Sequence, residues 1–84
     1  MTSQLTMNSL TILRRKQVQA RTGLSRSSIY AKLRPNLRRP GDYDPTFPKQ
    51  ISVGTKAVGW IEAEVNAWIT SKVRLSRRKQ KIQV

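Results

Sequence analysis

A chain of 84 residues with 37% hydrophobic content supports one domain, with a core near the lower limit for folding alone. It holds no cysteine and no histidine, which excludes a disulfide framework, thiolate or imidazole metal sites and the commonest general base. Its 17 Lys and Arg against 4 Asp and Glu give a formal charge of +13, a self-repelling excess that a polyanion would neutralise.

Where the charge lies says more than its total. Residues 1–41 carry nine basic residues and no acid, and residues 65–84 carry six and no acid. All four acids, Asp42, Asp44, Glu62 and Glu64, fall in the middle. Nucleic acid is the first candidate partner and an anionic membrane surface the second. No run of about 18 apolar residues is present, so no segment is expected to span a membrane. The opening "MTSQLTMNSLTIL" has neither the basic start nor the unbroken apolar core of a signal peptide, and a cytoplasmic location is expected.

Residues 1–11, uncharged and rich in Ser, Thr, Asn and Gln, read as a flexible N-terminal arm. Residues 12–73 read as the folded domain. Within it, Arg15 to Thr22 are mostly good helix formers, with Val18 and Ala20 as small apolar contacts, and Gly23 supplies a left-handed helix end. Ser25 is a suitable N-cap for a second helix, its hydroxyl reaching the amide of Ser27 or Ser28. That helix should stop near Arg34, because Pro35 disfavours helical geometry in the residue before it. All four prolines lie in "PNLRRPGDYDPTFP", an irregular connection.

In "KQISVGTKAVGW", Ile51 and Val53, then Val58 and Trp60, alternate about Gly54-Thr55-Lys56, as in a short hairpin with one apolar face. Next, Ile61, Val65, Trp68, Ile69 and Val73 form one stripe of a third helix, with Glu62 and Glu64 placed in its first turn to suit the helix dipole. Trp60 and Trp68 both read as core. Residues 74–84, "RLSRRKQKIQV", read as a basic flexible tail.

Two short helices joined through Thr22-Gly23-Leu24 form a helix-turn-helix pattern. With Ile29 and Leu33 facing inward, Ser27, Tyr30, Ala31 and Arg34 point outward, flanked by Arg26. Ser25, Arg26, Ser27, Ser28, Tyr30, Ala31 and Arg34 are therefore the candidate DNA-reading residues: small and polar side chains allow close entry into a major groove, and arginines donate to guanine edges or phosphates. Thr55 and Lys56 at the hairpin tip suit a wing. Arg14, Arg15, Lys16, Lys32, Arg77, Arg78 and Lys79 are candidate backbone contacts.

"LRRKQVQARTGLSRSSIYAKL", followed by "FPKQISVGTKAVGWIEAEVNAWI", resembles the AlpA family of phage-type regulators, among the MerR-like winged helices and small phage excisionases. The shared marks are "TGLSRSSIY", the "FPK" lead-in, a glycine-containing wing, and "GW" before an acidic helix start and "AWI", covering about residues 12–72. The resemblance implies a mostly α fold with a small β-hairpin, a winged helix-turn-helix in helix–helix–hairpin–helix order. It implies a DNA-binding protein, an excisionase (recombination directionality factor) and/or transcriptional regulator, that binds repeated sites and bends DNA. An integrase or RNA polymerase would then be its partner on DNA. Two departures are evident: the Pro35–Thr46 loop is longer than the family's usual connection, and Lys56 stands where an arginine is common.

No enzyme is expected, since no carboxylates converge for a metal, and no cofactor or metal is expected. The alternative is a small basic RNA-binding or ribosome-associated protein, which exposed aromatics on a sheet would favour. No long apolar heptad follows the third helix, so a monomer in solution, cooperative on DNA, is expected.

Overall fold

Local chemistry sets the turn between the first two helices. Helix α1 spans Arg15–Thr22 and helix α2 spans Arg26–Leu33. Gly23 ends α1 at φ 74°, the left-handed region that glycine enters without a Cβ penalty, and its amide donates to the Gln19 carbonyl at 2.8 Å. The Ser28 amide donates to the Ser25 hydroxyl at 3.1 Å, so the expected N-cap of α2 is present. Arg34, φ −134° and ψ 134°, is extended ahead of Pro35.

The structure, a computed structural model, describes residues 11–83, and side chains as far as Arg78. Residues 1–10 of the expected arm, and the side chain of Lys79, lie outside the described residues. The other elements are β1 (Ile12–Leu13), a 3-10 turn (Pro40–Asp42), β2 (Ile51–Gly54), β3 (Ala57–Ile61) and α3 (Glu62–Gln83). The architecture is thus three helices and a small antiparallel sheet, mostly helical with a hairpin, consistent with the expected winged helix-turn-helix.

The sheet has the order β1-β3-β2, and β1 was not expected. Leu13 pairs with Trp60 and Ile12 with Ile61. The hairpin register corrects the expectation of one apolar face. Ile51 stands opposite Gly59 and Ser52 opposite Val58, with an irregularity between Ser52 and Gly54 that leaves Val53 unpaired. Opposed residues share a face, so Val58 and Trp60 lie on one side and Ile51 on the other. Val53 and Val58 are 39% and 38% exposed, near the free end of the hairpin.

Gly59 belongs where β1 crosses the sheet. A Cβ built there would lie 2.6 Å from Ile12 Cγ2 and 2.9 Å from the Leu13 carbonyl oxygen. The half-exposed Ile12 side chain can yield, but the backbone oxygen cannot without moving β1. Gly59→Ala should therefore destabilise the domain by about 1–3 kcal/mol, as overpacking does. Thermal unfolding measures this, and an unchanged Tm would mean that β1 is not held against β3.

The buried core is Leu13, Val18, Ile29, Phe47, Trp60 and Val65, with Leu24, Leu33, Trp68 and Ile69 packed around it. Val18, Ile29 and Trp60 take the inward positions expected of them, whereas Ala20 is exposed and Trp68 only half-buried. Val73, placed on the apolar stripe by its spacing, is 39% exposed. Helix α3 is helical as far as Gln83 and does not stop at Val73, ahead of the expected tail from Arg74. The segment from Arg74 to Gln83 contains no Gly or Pro, and its Arg, Lys, Gln and Leu residues favour helix, a propensity that a reading by charge alone overlooks.

The long connection is pinned at Asp44. Its amide donates to the Lys32 carbonyl in the last turn of α2 at 3.1 Å. Its carboxylate accepts from the Thr46 amide at 2.9 Å, the Thr46 hydroxyl and the Trp68 indole N–H at 3.1 Å, and pairs with Lys72 at 3.0 Å. Burial acts to raise its pKa, but the hydrogen bonds from Thr46, Lys72 and Trp68 outweigh that and hold it well below the usual carboxylate range. Because the folded-state pKa is depressed, this stabilisation is complete above the ordinary Asp value of about 3.9 and is lost as pH falls toward the folded value. The Tm should therefore drop on acidification from pH 6 to pH 3. In Asp44→Asn that part of the pH dependence should vanish, with about 1.5–3 kcal/mol lost at neutral pH. Parallel Tm–pH profiles for the two proteins would contradict this role.

Candidate nucleic-acid interface

The outward side of α2 carries no acid and is bordered by basic residues. Ser25, Arg26, Ser27, Tyr30 and Arg34 are exposed, while Ser28, Ala31 and Lys32 are half-buried. Tyr30 is 37% exposed, on the side of the helix away from buried Ile29. The Arg26 guanidinium lies 5.9 Å from the Tyr30 ring centroid, one turn apart along the helix, a cation–π spacing that holds the two side chains together. The Ser25 hydroxyl, besides capping the helix, donates to the Ser28 hydroxyl at 3.0 Å.

Lys32 is placed differently from its neighbours. Its ammonium lies 5.8 Å from the Trp68 ring centroid, and the Lys72 ammonium lies 5.5 Å from the same centroid. Phe47 meets Trp68 edge-on, with centroids 5.0 Å apart. Lys32 is thus directed toward the packing of α2 on α3, and only its remaining exposed surface is free to meet a ligand.

Arg14, Arg15 and Lys16 gather at the start of α1. The Arg14 amide donates to Gln17 Oε1 at 2.8 Å, Arg15 Nε donates to Gln19 Oε1 at 3.2 Å, and Lys16 is exposed. Cations at a helix N-terminus oppose the helix dipole, so folding gives no electrostatic reason for them to be there. Thr55 and Lys56 form the exposed tip of the hairpin. Arg77 and Arg78 are exposed on the far part of α3, on another element from the α2 residues. Glu62, expected only to suit the helix dipole, also pairs with Arg21 at 2.5 Å and so joins α3 to α1.

Arg38 and Arg39 are exposed in the long connection, Arg39 beside α2, and neither was among the expected site residues. A groove runs between Ser27, Ala31 and Lys32 on the helix and Arg39, Gly41 and Asp42 on the connection. The signal for it was present as "LRRPG", but its proximity to α2 depends on the long-range anchor at Asp44. Among the described residues no group of His, Cys, Asp or Glu could hold a metal ion, and no helix is long and apolar enough to cross a membrane.

The family described as "Prophage CP4-57 regulatory protein (AlpA)" matches residues 11–81, which hold α1, α2, the whole sheet and all but the last two residues of α3. The chain belongs to the AlpA family. A relative of this AlpA-family protein, the "DNA-binding transcriptional activator AlpA" of Escherichia coli (strain K12), is 45% identical over 64 residues, 76% of this chain and 87% of that protein. A second, the "Uncharacterized protein ORF88" of Enterobacteria phage P4, is 39% identical over 66 residues, 79% of this chain and 65% of that protein. No solved structure gives a significant match to this AlpA-family chain.

Proposed function

We propose that the protein is a sequence-specific double-stranded DNA-binding regulator of transcription, with α2 as the element that reads bases. The acid-free outward face of α2, set on a helix-turn-helix within a chain of charge +13, is the observation that carries the reading. The 45% identity to a DNA-binding transcriptional activator supports it. Arg14, Arg15, Lys16, Lys56, Arg77, Arg78 and Lys79 act as phosphate contacts, Thr55 and Lys56 as the wing, and the protein bends DNA on binding repeated sites as a monomer that becomes cooperative there. Its partner proteins are those already on that DNA, RNA polymerase or an integrase. The one aromatic in the described strands, Trp60, is fully buried, which removes the stacking platform that RNA binding on the sheet would need.

Footprinting across the gene's own neighbourhood tests the reading. Protection of a promoter supports regulation, protection of attachment-site repeats assigns an excisionase role in its place, and no protected site defeats both. Once a site is in hand, Arg26→Ala and Tyr30→Ala should each lower the ratio of site to non-site affinity by about 1–3 kcal/mol. Thermal stability should stay nearly constant, because both side chains are exposed. Competition titrations with site and unrelated duplexes measure the ratio, and an unchanged ratio in both variants would remove α2 as the reader.

A further inference from the structure

We propose that the Asn36–Arg39 turn is a third DNA-contacting element, which sets Leu37 and Arg38 into the minor groove beside the major groove entered by α2. The proposal rests on the reading of α2 as the DNA-reading helix. Three observations carry it.

The first is the turn's construction. The Arg39 amide donates to the Asn36 carbonyl at 3.1 Å, and the Arg38 amide to Asn36 Oδ1 at 2.9 Å. The Asn36 side chain thus reinforces a backbone turn whose central residues, Leu37 and Arg38, project away from the chain. The Asp42 amide, donating to the Arg39 carbonyl at 3.1 Å, continues the fold of the connection, and Asp44 anchors its far end to Lys32.

The second is position. The connection packs along α2 so that Ser27 and Ala31, two candidate base-reading residues, share a groove with Arg39 and Gly41. A helix that enters a groove through that side brings whatever packs on that side to the same duplex. The connection therefore either meets DNA or blocks the helix.

The third is composition. Leu37 is 101% exposed, and Arg34, Arg38 and Arg39 around it in sequence are all exposed. A single surface leucine is unremarkable by itself. An apolar side chain on a reinforced turn among cations is the combination with which minor-groove proteins wedge into a base step, while the arginines hold the flanking phosphates. One leucine among three arginines is too small and too charged a patch to seat an apolar protein surface.

The test uses the full chain and duplexes spanning the footprinted site, with 2-aminopurine placed in turn at each step flanking the segment read by α2. Wild type should raise the probe's fluorescence at one step, by about twofold or more, as the step unstacks. Leu37→Ala should abolish that rise while still binding the site, and Arg38→Gln should lower affinity for site and unrelated duplexes by a similar factor. If Leu37→Ala and Arg38→Gln both match wild type while Arg26→Ala loses site preference, the turn has no such role and the reading of α2 stands. If wild type shows no preference for any duplex, the reading of α2 fails and the turn's role fails with it. Circular dichroism of each variant separates weakened DNA binding from loss of fold.

Discussion

Trp60→Ala should leave the chain without a cooperative thermal transition. Trp60 is 0% exposed, pairs across the sheet with Leu13, and sits in a core of six buried residues. Truncating a buried tryptophan costs about 3–5 kcal/mol in lost transfer energy and residual cavity. A domain of this length has about 4–13 kcal/mol in total, from a typical 0.05–0.15 kcal/mol per residue. The loss therefore falls on much of the available stability. It also falls where three elements meet, since β1 is held by only two pairs and both are with β3. Leu37→Ala provides the control, an apolar truncation of similar chemistry at a fully exposed position, which should leave the transition unchanged. Calorimetry on both variants decides the matter, and a Trp60→Ala protein with a sharp transition near the wild-type Tm would show that the core lies elsewhere. Among the described residues the buried Trp60 indole N–H has no hydrogen-bond partner, so some of the ring's burial energy is already offset by desolvation. Trp60→Phe should for that reason be far milder than Trp60→Ala.

Site binding should be strongly salt-dependent. With five phosphates engaged, log K should fall against log salt with a slope of about −4.5. Raising salt from 50 to 200 mM would then weaken binding about 500-fold. Lys56→Ala, or deletion of Arg77 to Val84, should lower affinity for site and unrelated DNA by similar factors and flatten the slope by about one unit for each phosphate left without its cation. For Lys56 the physical reason is that a lysine ammonium is a point charge, with no fixed geometry for base edges. For Arg77 and Arg78 it is their place on the far part of α3, on another element from the reading face of α2. Equilibrium titrations at several salt concentrations measure both quantities. A flat response would set aside phosphate neutralisation as the source of affinity.

How far the sequence revealed the fold depended on the distance over which each feature is determined. Gly23, the Ser25 cap, the stop before Pro35 and the inward Ile29 are each decided within about one helical turn, and each is present in the structure. Strand β1 was hidden because two residues show no period, and their pairing depends on a partner far along the chain. The hairpin was legible from its turn, but the irregularity at Val53 shifted the alternation on which its single apolar face was read. The outward set on α2 followed from helical spacing once Ile29 was taken as core. Lys32 lies outside that set, at i+3 from Ile29 and so toward the inward side, and its ammonium turns to Trp68, a partner on another helix that no local pattern discloses. Arg38 and Arg39 escaped for the same reason: nothing within "NLRRPG" tells that Asp44 ties the connection back to α2.

Asp44 also changes how the molecule holds itself closed. Small domains often rely on a covalent staple to limit the freedom of the unfolded chain. This chain, without cysteine, joins positions 24 residues apart through the Asp44–Trp68 hydrogen bond, with Lys72 one turn further on. Such a fastening leaves the unfolded chain unconstrained, so it contributes enthalpy to the native state where a disulfide would remove entropy from the unfolded one. Its strength is indifferent to thiols and oxidants. It can open and re-form without bond chemistry, leaving the connection free to part briefly from the first half of α3 and close again within the lifetime of the folded core.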